Sequence, residues 1–355
     1  MVAKARLGIG ILSYAHGHVN AYAQRIRAFD DAWLVSCWDD DEERGRRNAD
    51  GFGIPYSPHL DDTLSRPDVD CVIIASETNK HTDLCLAAID AGKAVLLQKP
   101  MALTLAECDR IIEAAECRGV WFSLAFQMRC DPQNIAMRDL VRSGAVGRVG
   151  TIRRRHCIPV LFNEQFVEGP THWHVTAEAN RGMFFDDATH ALDWLYWMLE
   201  EKPVSVIAEI DNVLTEVAPD DTGLALFRYP SGLFAEVYNS SVTLAGENTT
   251  EIYGDRGVIV QNHGDAPSAA VKPPHPTGVK LYQTDKAALG WQDLGLPIPA
   301  GQGERIAAVA RPFIDALRSG RPMCSASDGR VSVEMCLAAY RSAETGRRVS
   351  FPFNE

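Results

Sequence analysis

The sequence predicts an α/β protein with an N-terminal doubly wound parallel sheet and a C-terminal α+β domain that contains a large, mostly antiparallel open sheet. Three observations support this fold class. Strand-like and helix-like segments alternate over the first 125 residues. Later segments alternate apolar and polar residues between turn signals, which is typical of antiparallel strands. The length of 355 residues suits two domains, which we place at residues 1–125 and 126–355.

Five short apolar segments of the first domain are predicted to form the parallel sheet. They are Leu7–Leu12, Trp33–Trp38, Val69–Ala75, Ala94–Leu97 and Val120–Phe126. The segments between them are predicted helices: Val19–Ala28, a charged start at Asp39–Arg47, Thr82–Ala91, and one from Thr104 to about Cys117. Thr104 and Glu107 have the spacing of a capping box. Such alternation implies a parallel sheet covered by helices on both faces.

The second domain combines a few helices with alternating strands. The predicted strands are Val204–Ile210, Leu224–Tyr229, Leu233–Asn239 and Thr250–Tyr253. The predicted helices are Ile135–Ser143, Thr189–Leu199, Glu304–Arg318 and Gly329–Thr345. The segment Asn262–Pro276 is rich in proline, glycine and histidine and is predicted to be a loop.

Composition excludes several classes of protein. The chain is 46% hydrophobic and 23% charged, as in an ordinary globular protein. A net charge of −12 argues against nucleic acid or an anionic membrane as the main partner. No apolar stretch reaches the roughly 18 residues of a membrane span. The nine cysteines are odd in number and form no C-x-x-C pair, and the N-terminus shows no signal-peptide core, so we expect a cytoplasmic location.

The turn after the first predicted strand, Ser13-Tyr14-Ala15-His16-Gly17-His18, stands where a Rossmann domain binds pyrophosphate. The usual fingerprint there is G-x-G-x-x-G, and this chain has Ser13, Ala15 and His18 at the three glycine positions. Small residues therefore fill two of the three places. His16 or His18 could donate a hydrogen bond to a phosphate. A metal site is disfavoured because no carboxylate or thiol lies at ligand spacing, and we predict no metal.

Asp39 ends the second strand about 26 residues after Ser13, close to the roughly 20 expected for the acid that binds the ribose hydroxyls. An acid there repels a 2′-phosphate, which favours NAD over NADP. The alternative is a helix-start acid, since Asp40, Asp41 and Glu42 follow. The residues expected to bind the cofactor lie at the carboxyl ends of the strands: Ser13, Tyr14, Ala15, His16, Gly17, His18, Asp39, Ser76, Glu77, Asn79, His81, Gln98, Lys99 and Gln127.

Two segments about ninety residues apart carry acid–base groups. Lys99 ends an apolar run, and Asp186, His190 and Asp193 fall at i, i+4 and i+7 on one face of a predicted helix. A cation, an orienting carboxylate and an imidazole can take a proton from an alcohol while a hydride leaves its carbon. The alternative is a helix with surface acids and a core histidine.

The chain resembles the Gfo/Idh/MocA family of NAD(P)-dependent oxidoreductases from Leu7 to Pro352. The segments that carry the resemblance are Asp70–Ser76 with His81, Ala91–Val95, Lys99-Pro100, Gly144–Val149, Asp186 with His190, Asp221–Gly223, Ile252–Gly257 and Ala339–Ala343. The resemblance implies sugars, cyclitols or their derivatives as substrates. It also implies a homodimer or homotetramer assembled through the C-terminal sheet.

Two family motifs are altered in this chain. The family's E-K-P motif falls on Gln98-Lys99-Pro100, so a glutamine replaces a glutamate near the nicotinamide. The Asp-x-Gly-x-His segment falls on Asp186 to His190, with Ala188 where glycine is usual. These departures mark a divergent branch of the family.

The resemblance implies Lys99, Asp186 and His190 as the catalytic residues. His190 accepts the hydroxyl proton, Lys99 stabilises the developing alkoxide, and Asp186 orients the site; Lys99 as the proton acceptor is an alternative. The residues expected to contact the substrate are these three together with Arg129, His156, Asn163, Trp173 and His174. Trp173 could stack on a sugar ring or pack in the core.

The sequence thus predicts an NAD-dependent oxidoreductase that transfers a hydride between nicotinamide and a secondary alcohol or ketone of a small carbohydrate, cyclitol or glycoside. Two alternatives remain open at this point. One is an NAD-assisted, redox-neutral lyase or glycosidase acting on a sugar derivative. The other is a non-catalytic sugar sensor that kept the fold.

Overall fold

The computed structural model describes residues 4–244, 249–261, 278–299 and 302–355. The chain divides into two compact units. The first consists of residues 1–127 and 303–330, and the second of residues 128–302 and 331–355. The predicted loop Asn262–Pro276 lies outside the described residues. Among the described residues, no helix is both long enough and apolar enough to cross a membrane.

The first unit contains a five-stranded parallel sheet in the order β2-β1-β3-β4-β5. The strands are β1 (Leu7–Leu12), β2 (Ala32–Trp38), β3 (Cys71–Ile74), β4 (Ala94–Leu97) and β5 (Phe122–Leu124). The helices between them are α1 (His18–Ile26), α2 (Glu42–Phe52), α3 (Leu60–Leu64), α4 (His81–Asp90) and α5 (Leu105–Arg118). All residues of β1, β3, β4 and β5 are buried, as expected for a parallel sheet covered on both faces. The predicted capping box of Thr104 and Glu107 is present at the start of α5.

The second unit contains a nine-stranded sheet in the order β13-β12-β11-β10-β6-β9-β8-β7-β14. The strands are β6 (Val149–Cys157), β7 (Ser205–Asp211), β8 (Thr222–Arg228), β9 (Phe234–Ser240), β10 (Thr250–Gly254), β11 (Gly257–Gln261), β12 (Val279–Gln283), β13 (Gln292–Asp293) and β14 (Val349–Ser350). Only β6 and β9 pair in parallel; the other neighbours are antiparallel. The predicted large, mostly antiparallel sheet is therefore confirmed.

The helices that precede β7 in this unit are α6 (Pro132–Arg142), α7 (Glu164–Glu168), α8 (Ala177–Asn180) and α9 (Thr189–Leu199). Of these, α9 packs against β6 and β9 of the sheet. Arg154 of β6 is fully buried, and its guanidinium lies 4.1 Å from the ring centre of Trp194 on α9. The other face of the sheet exposes large apolar side chains, including Ile207, Leu224 and Phe234. One face of the sheet thus packs on α9, and the other is exposed and carries both apolar side chains and ion pairs such as Arg153–Glu236.

The last part of the chain does not follow the predicted division at residue 125. The predicted helix Glu304–Arg318 is two helices, α10 (Gln302–Ala307) and α11 (Ala310–Ser319), followed by α12 (Ala326–Thr345). Arg311 and Arg318 on α11 both bind the carboxylate of Asp31 in the first unit. These contacts explain why residues 303–330 belong to the first unit, whereas the sequence pattern placed them in the second.

Candidate active site

The first residue of the turn after β1, Ser13, has a backbone conformation that is typical of glycine. Ser13 has φ of 69°, in the left-handed region that glycine favours. Its hydroxyl accepts a hydrogen bond from the backbone N–H of Ala15 at 3.2 Å, which helps to hold this conformation. Gly17 caps α1, no atom lies within 4 Å of the position of an added Cβ, and the first turn of α1 carries no acid. The turn therefore leads into an open helix N-terminus, which attracts anions.

The two histidines of this turn lie together, and their rings meet edge to face at 4.3 Å between centroids. The backbone N–H of His16 donates to the carbonyl of Ala75 at 2.8 Å, so the turn is tied to the end of β3. His16 is buried, whereas Gly17 is exposed. The described residues contain no group of three or more His, Cys, Asp or Glu side chains that could hold a metal ion.

Asp39 binds protein groups with both carboxylate oxygens. Arg44 contacts it through Nε at 2.9 Å and Nη2 at 2.6 Å, and the backbone N–H of Tyr14 donates to it at 2.8 Å. Asp39 is only 2% exposed. Its carboxylate therefore fixes the turn after β1, and the expected direct contact with ribose hydroxyls would compete with these bonds. Sequence reasoning missed Arg44, which follows five residues later on α2 and supplies the partner charge.

The residues after β3 have different surroundings. Ser76 is buried, Asn79 is exposed, and Glu77 forms an ion pair with Lys80 at 3.0 Å. His81 is fully buried, with Nδ1 2.8 Å from the carbonyl of Pro100 and Nε2 3.3 Å from that of Ser76. Burial lowers its pKa to about 4, so the ring is neutral at physiological pH. The neutral ring has one N–H, and the shorter contact is the one between Nδ1 and the Pro100 carbonyl, so His81 is bound to the backbone and we do not propose it as a cofactor ligand.

Two buried amides have carbonyl oxygens that face no donor. Gln98 follows β4, is fully buried and donates from Nε2 to the hydroxyl of Tyr22 at 2.8 Å. Its Oε1, and the Oε1 of Gln127 beyond β5, have no hydrogen-bond partner among the described residues. Buried polar atoms usually have partners, so such atoms mark sites for a ligand. Lys99, beside Gln98, is 2% exposed.

These features suit a bound dinucleotide. An open helix N-terminus follows β1 at Gly17, where a Rossmann domain holds pyrophosphate. The carbonyls of Gln98 and Gln127 can accept hydrogen bonds from an amide such as that of nicotinamide. Both the anion-binding and the amide-binding parts are therefore present in the first unit.

The second unit brings five acid–base side chains together: His156, His174, Asp186, Asp187 and His190. We call this group the histidine–aspartate cluster. Nδ1 of His174 lies 3.1 Å from a carboxylate oxygen of Asp186, and Nε2 of His156 lies 4.0 Å from one of Asp187. The rings of His156 and His190 are stacked with centroids 5.6 Å apart. All five residues are at most 7% exposed.

The backbone around Asp186 differs from the predicted α-helix. Phe184–Ala188 form a π-helical turn that leads into α9. The carboxylate of Asp220 accepts the N–H of Phe184 at 2.7 Å, and the hydroxyl of Tyr340 accepts that of Phe185 at 3.1 Å. Because π-turns change the spacing of side chains, Asp186 and Asp187 point to two different histidines. Asp220 and Tyr340, which sequence reasoning missed, anchor the start of this turn.

Three other predicted site residues have structural partners. Asp193 binds Arg129 through two hydrogen bonds of 2.7 and 3.0 Å, so neither residue joins the cluster. Asn163 is exposed and caps α7 by accepting the N–H of Gln165. Trp173 is 8% exposed and stacks on His174 with centroids 3.6 Å apart, so it packs against the cluster.

The structure adds two polar residues to the neighbourhood of Asp187. Ser241 donates a hydrogen bond to Asp187 at 3.2 Å. Asn239 of β9 is fully buried beside His156 in the sheet register. A sequence signal existed, because Asn239 occupies the inward-facing phase of β9 that Ala235 and Val237 fill with apolar side chains.

Comparison with known proteins identifies the family. Residues 7–126 match the oxidoreductase family with an NAD-binding Rossmann fold, and residues 135–260 match the GFO/IDH/MocA C-terminal domain. The chain belongs to the Gfo/Idh/MocA oxidoreductase family. The resemblance inferred from the sequence is thereby confirmed, as are the NAD-binding domain and the oxidoreductase class.

Several members of this family are similar over nearly the whole chain. A 1,5-anhydro-D-fructose reductase from Ensifer adhaerens is 28% identical over 88% of this chain and 90% of its own length. A myo-inositol 2-dehydrogenase from Thermotoga maritima is 25% identical over 97% and 96%. A levoglucosan dehydrogenase solved with NADH and L-sorbose shares the fold, with a TM-score of 0.84 and 21% identity over 99% of this chain and 100% of that one. These dehydrogenases and reductases give no support to the redox-neutral lyase or to the sugar sensor.

Proposed function

We propose that this protein oxidises a secondary alcohol, or reduces the corresponding ketone, on a small sugar, cyclitol or glycoside. The observation that carries the proposal is the histidine–aspartate cluster in a chain of an NAD-binding oxidoreductase family. Proton transfer at a hydroxyl needs a titratable group within a network of partners, which the cluster supplies. The named relatives act on 1,5-anhydro-D-fructose and myo-inositol, both polyhydroxylated rings.

In this proposal the Rossmann domain would hold NAD, which would supply a hydride acceptor for the alcohol carbon. His190 accepts the hydroxyl proton, and Lys99 donates a hydrogen bond to the developing alkoxide. Asp186 holds His174 through the 3.1 Å contact, which fixes the orientation of that imidazole. His156 stacks on His190 and limits the movement of its ring. General acid–base catalysis of this kind contributes roughly 100- to 10,000-fold to the rate.

The test is NADH formation by the purified protein with NAD and a panel of sugars, cyclitols and glycosides, with NADH consumption measured on the corresponding ketones. We expect turnover with one substrate class. Lys99→Ala and His190→Ala should each lower turnover by at least about 100-fold while NAD still binds. His172→Ala, which changes an exposed histidine of the same unit, should behave like the wild type. Absence of turnover in both directions, or near-normal turnover of Lys99→Ala, contradicts the proposal.

We also propose that two or four copies of the chain associate through the outer face of the nine-stranded sheet. This face exposes large apolar side chains at alternate positions: Ile207, Leu224, Leu226, Phe234 and Tyr253. A row of exposed apolar residues on a sheet is typical of a protein–protein interface. Light scattering should give a dimer or tetramer for the wild type and a smaller species for Leu224→Lys. A monomeric wild type at micromolar concentration would refute this assembly.

The proposed location is the cytoplasm. All nine cysteines are free thiols, and most are buried as small apolar side chains. Free thiols without disulfides are typical of proteins in a reducing compartment. Fractionation of cells that express the native protein checks this location.

A further inference from the structure

Asn239 is a buried amide without a hydrogen bond. Its side chain is fully buried, and neither Oδ1 nor Nδ2 has a partner within the part of the chain that the structure describes. A carboxamide can make up to four hydrogen bonds. Leaving such a group buried and unpaired lowers the stability of the fold. Because Asn239 lowers stability in this way, we expect it to have a role in ligand binding.

The sheet register places Asn239 on the floor of the histidine–aspartate cluster. It pairs with His156 on β6 and with Gly223 on β8. The ring of Phe184, at the start of the π-helical turn, packs so closely over Gly223 that an added Cβ would lie 2.2 Å from it. Ser241, two residues after Asn239, binds Asp187. Asn239 therefore lies beside one member of the cluster, His156, on the same face of the sheet, and two residues before the serine that binds another, Asp187.

The neighbouring positions of the same strand show that an apolar residue would fit the pattern. Ala235 and Val237 face the same side as Asn239 and are fully buried. Asn134, another fully buried asparagine of this unit, accepts a hydrogen bond from the indole N–H of Trp194 at 2.9 Å. Asn239 differs from Asn134 because none of the residues that the structure describes satisfies its amide. A ligand is then the partner that fits its donor and acceptor.

We propose that Asn239 determines substrate specificity by binding two adjacent hydroxyl groups of the substrate, away from the carbon that is oxidised or reduced. This inference rests on the proposed function and adds the substrate feature that the site selects. The amide oxygen accepts a hydrogen bond from one hydroxyl, and the amide NH₂ donates to the oxygen of the next. A polyol with a vicinal diol offers both groups, whereas its monodeoxy analogue offers one.

The test compares wild type and Asn239→Leu on the best substrate of the panel and on its monodeoxy analogues. For the wild type, removal of one hydroxyl of the recognised pair should lower kcat/KM about 10- to 100-fold. For Asn239→Leu, kcat/KM on the parent substrate should fall by a similar factor, mainly through KM, and the two substrates should become nearly equivalent. The ligand-free variant should melt a few degrees higher, because an unpaired buried amide has been removed.

Asn134→Leu is the matched control, since it removes a buried amide that has a protein partner. It should melt at a lower temperature and keep the discrimination between parent and deoxy substrates. Asn239→Ala, which adds no bulk, should lose the same discrimination if Asn239→Leu fails to fold. Unchanged KM and unchanged discrimination in both Asn239 variants, or a loss of stability like that of Asn134→Leu with unchanged KM, would overturn the inference.

The two proposals fail in different ways. If the wild type shows no turnover with any member of the panel in either direction, the proposed function is wrong. If the wild type turns over a polyol and the Asn239 variants discriminate as it does, only the role of Asn239 is wrong.

Discussion

The nucleotide-binding edge of the first unit and the histidine–aspartate cluster of the second use buried polar side chains differently. At the edge, Asp39 and His81 bind Arg44 and backbone groups, and so fix the turns that follow the strands. In the cluster, Asp186 and Asp187 contact the imidazoles of His174 and His156. Polar side chains thus position the backbone in one region and form contacts between acidic and imidazole groups in the other. Substitutions should therefore affect stability and NAD affinity at the edge, but turnover in the cluster.

The largest expected effect is that of Asp186→Asn. The amide keeps the size of the side chain but removes the charge that faces His174 at 3.1 Å. We expect kcat to fall about 100- to 1,000-fold with little change in NAD affinity, measured by steady-state kinetics and by calorimetric titration with NAD. Asp139→Asn, an exposed carboxylate on α6, is the control and should keep wild-type kcat. A kcat within threefold of the wild type for Asp186→Asn would show that this carboxylate does not contribute to catalysis.

Arg44→Ala should have the largest effect at the nucleotide-binding edge. It leaves the buried carboxylate of Asp39 without its cation, and such a loss costs about 3 to 5 kcal/mol. Chemical denaturation should show the loss of stability, and the Kd for NAD should rise because Asp39 holds the backbone of Tyr14. Arg47→Ala on the same helix removes an exposed pair with Glu43 and should change stability by less than about 1 kcal/mol. Equal stability of the two variants would show that the Asp39–Arg44 pair does not fix the turn.

Asp220 gives a pH-dependent prediction for the anchor of the π-helical turn. Burial raises its pKa to about 6, although Tyr340 and the N–H of Phe184 donate to it. The folded protein therefore binds this proton more tightly than the unfolded chain, and stability falls as the pH rises from about 4 to about 6. Relative to a pH below 4, where this carboxyl is protonated in both states, ionisation of Asp220 lowers the free energy of unfolding at pH 7 by about 3 kcal/mol.

Asp220→Asn removes this titration. The variant should gain stability relative to the wild type as the pH rises through this window, measured by urea denaturation at pH 4.5, 5.5 and 7. A constant difference between the two proteins across these pH values contradicts the raised pKa. Tyr340→Phe keeps the carboxylate and should retain a pH-dependent stability.

The smallest expected effect is at Ser13. Its positive φ costs a non-glycine residue roughly 1 to 2 kcal/mol, and its hydroxyl recovers part of that through the N–H of Ala15. Ser13→Ala keeps the strain and loses the hydrogen bonds of this hydroxyl with Ala15, Asp39 and Arg44, so it should be at least about 1 kcal/mol less stable than the wild type. Ser13→Gly removes the strain and should stay close to the wild type. Thermal melting of the three proteins checks this order, and a Ser13→Gly variant that is the least stable would refute it.

Sequence patterns alone determined the two sheets and most of their elements. A buried run of β-branched and apolar residues such as Val69–Ala75 is typical of a parallel strand covered by helices on both faces. The alternation in Leu224–Tyr229 is typical of a strand in a sheet with one buried and one exposed face. The helix Thr189–Leu199 has the predicted bounds. Spacing predicted Asp186 and His190 on one face of an α-helix, whereas the structure has Asp186 in a π-helical turn with His174 as its contact.

Only the tertiary structure decided which polar groups satisfy one another. Nothing in the local sequence shows that Arg44 neutralises Asp39, that Arg129 binds Asp193, or that residues 303–330 bind Asp31. The π-helical turn depends on Asp220 and Tyr340, which are distant in sequence from the turn that they anchor. Likewise, the sequence shows that Asn239 interrupts the apolar residues on the inward-facing side of its strand. Only the folded structure shows that its amide has no hydrogen-bond partner among the described residues. Apart from the Asp39–Arg44 pair, these hydrogen bonds and ion pairs join residues far apart in the chain, so their partners are set by packing and not by local pattern.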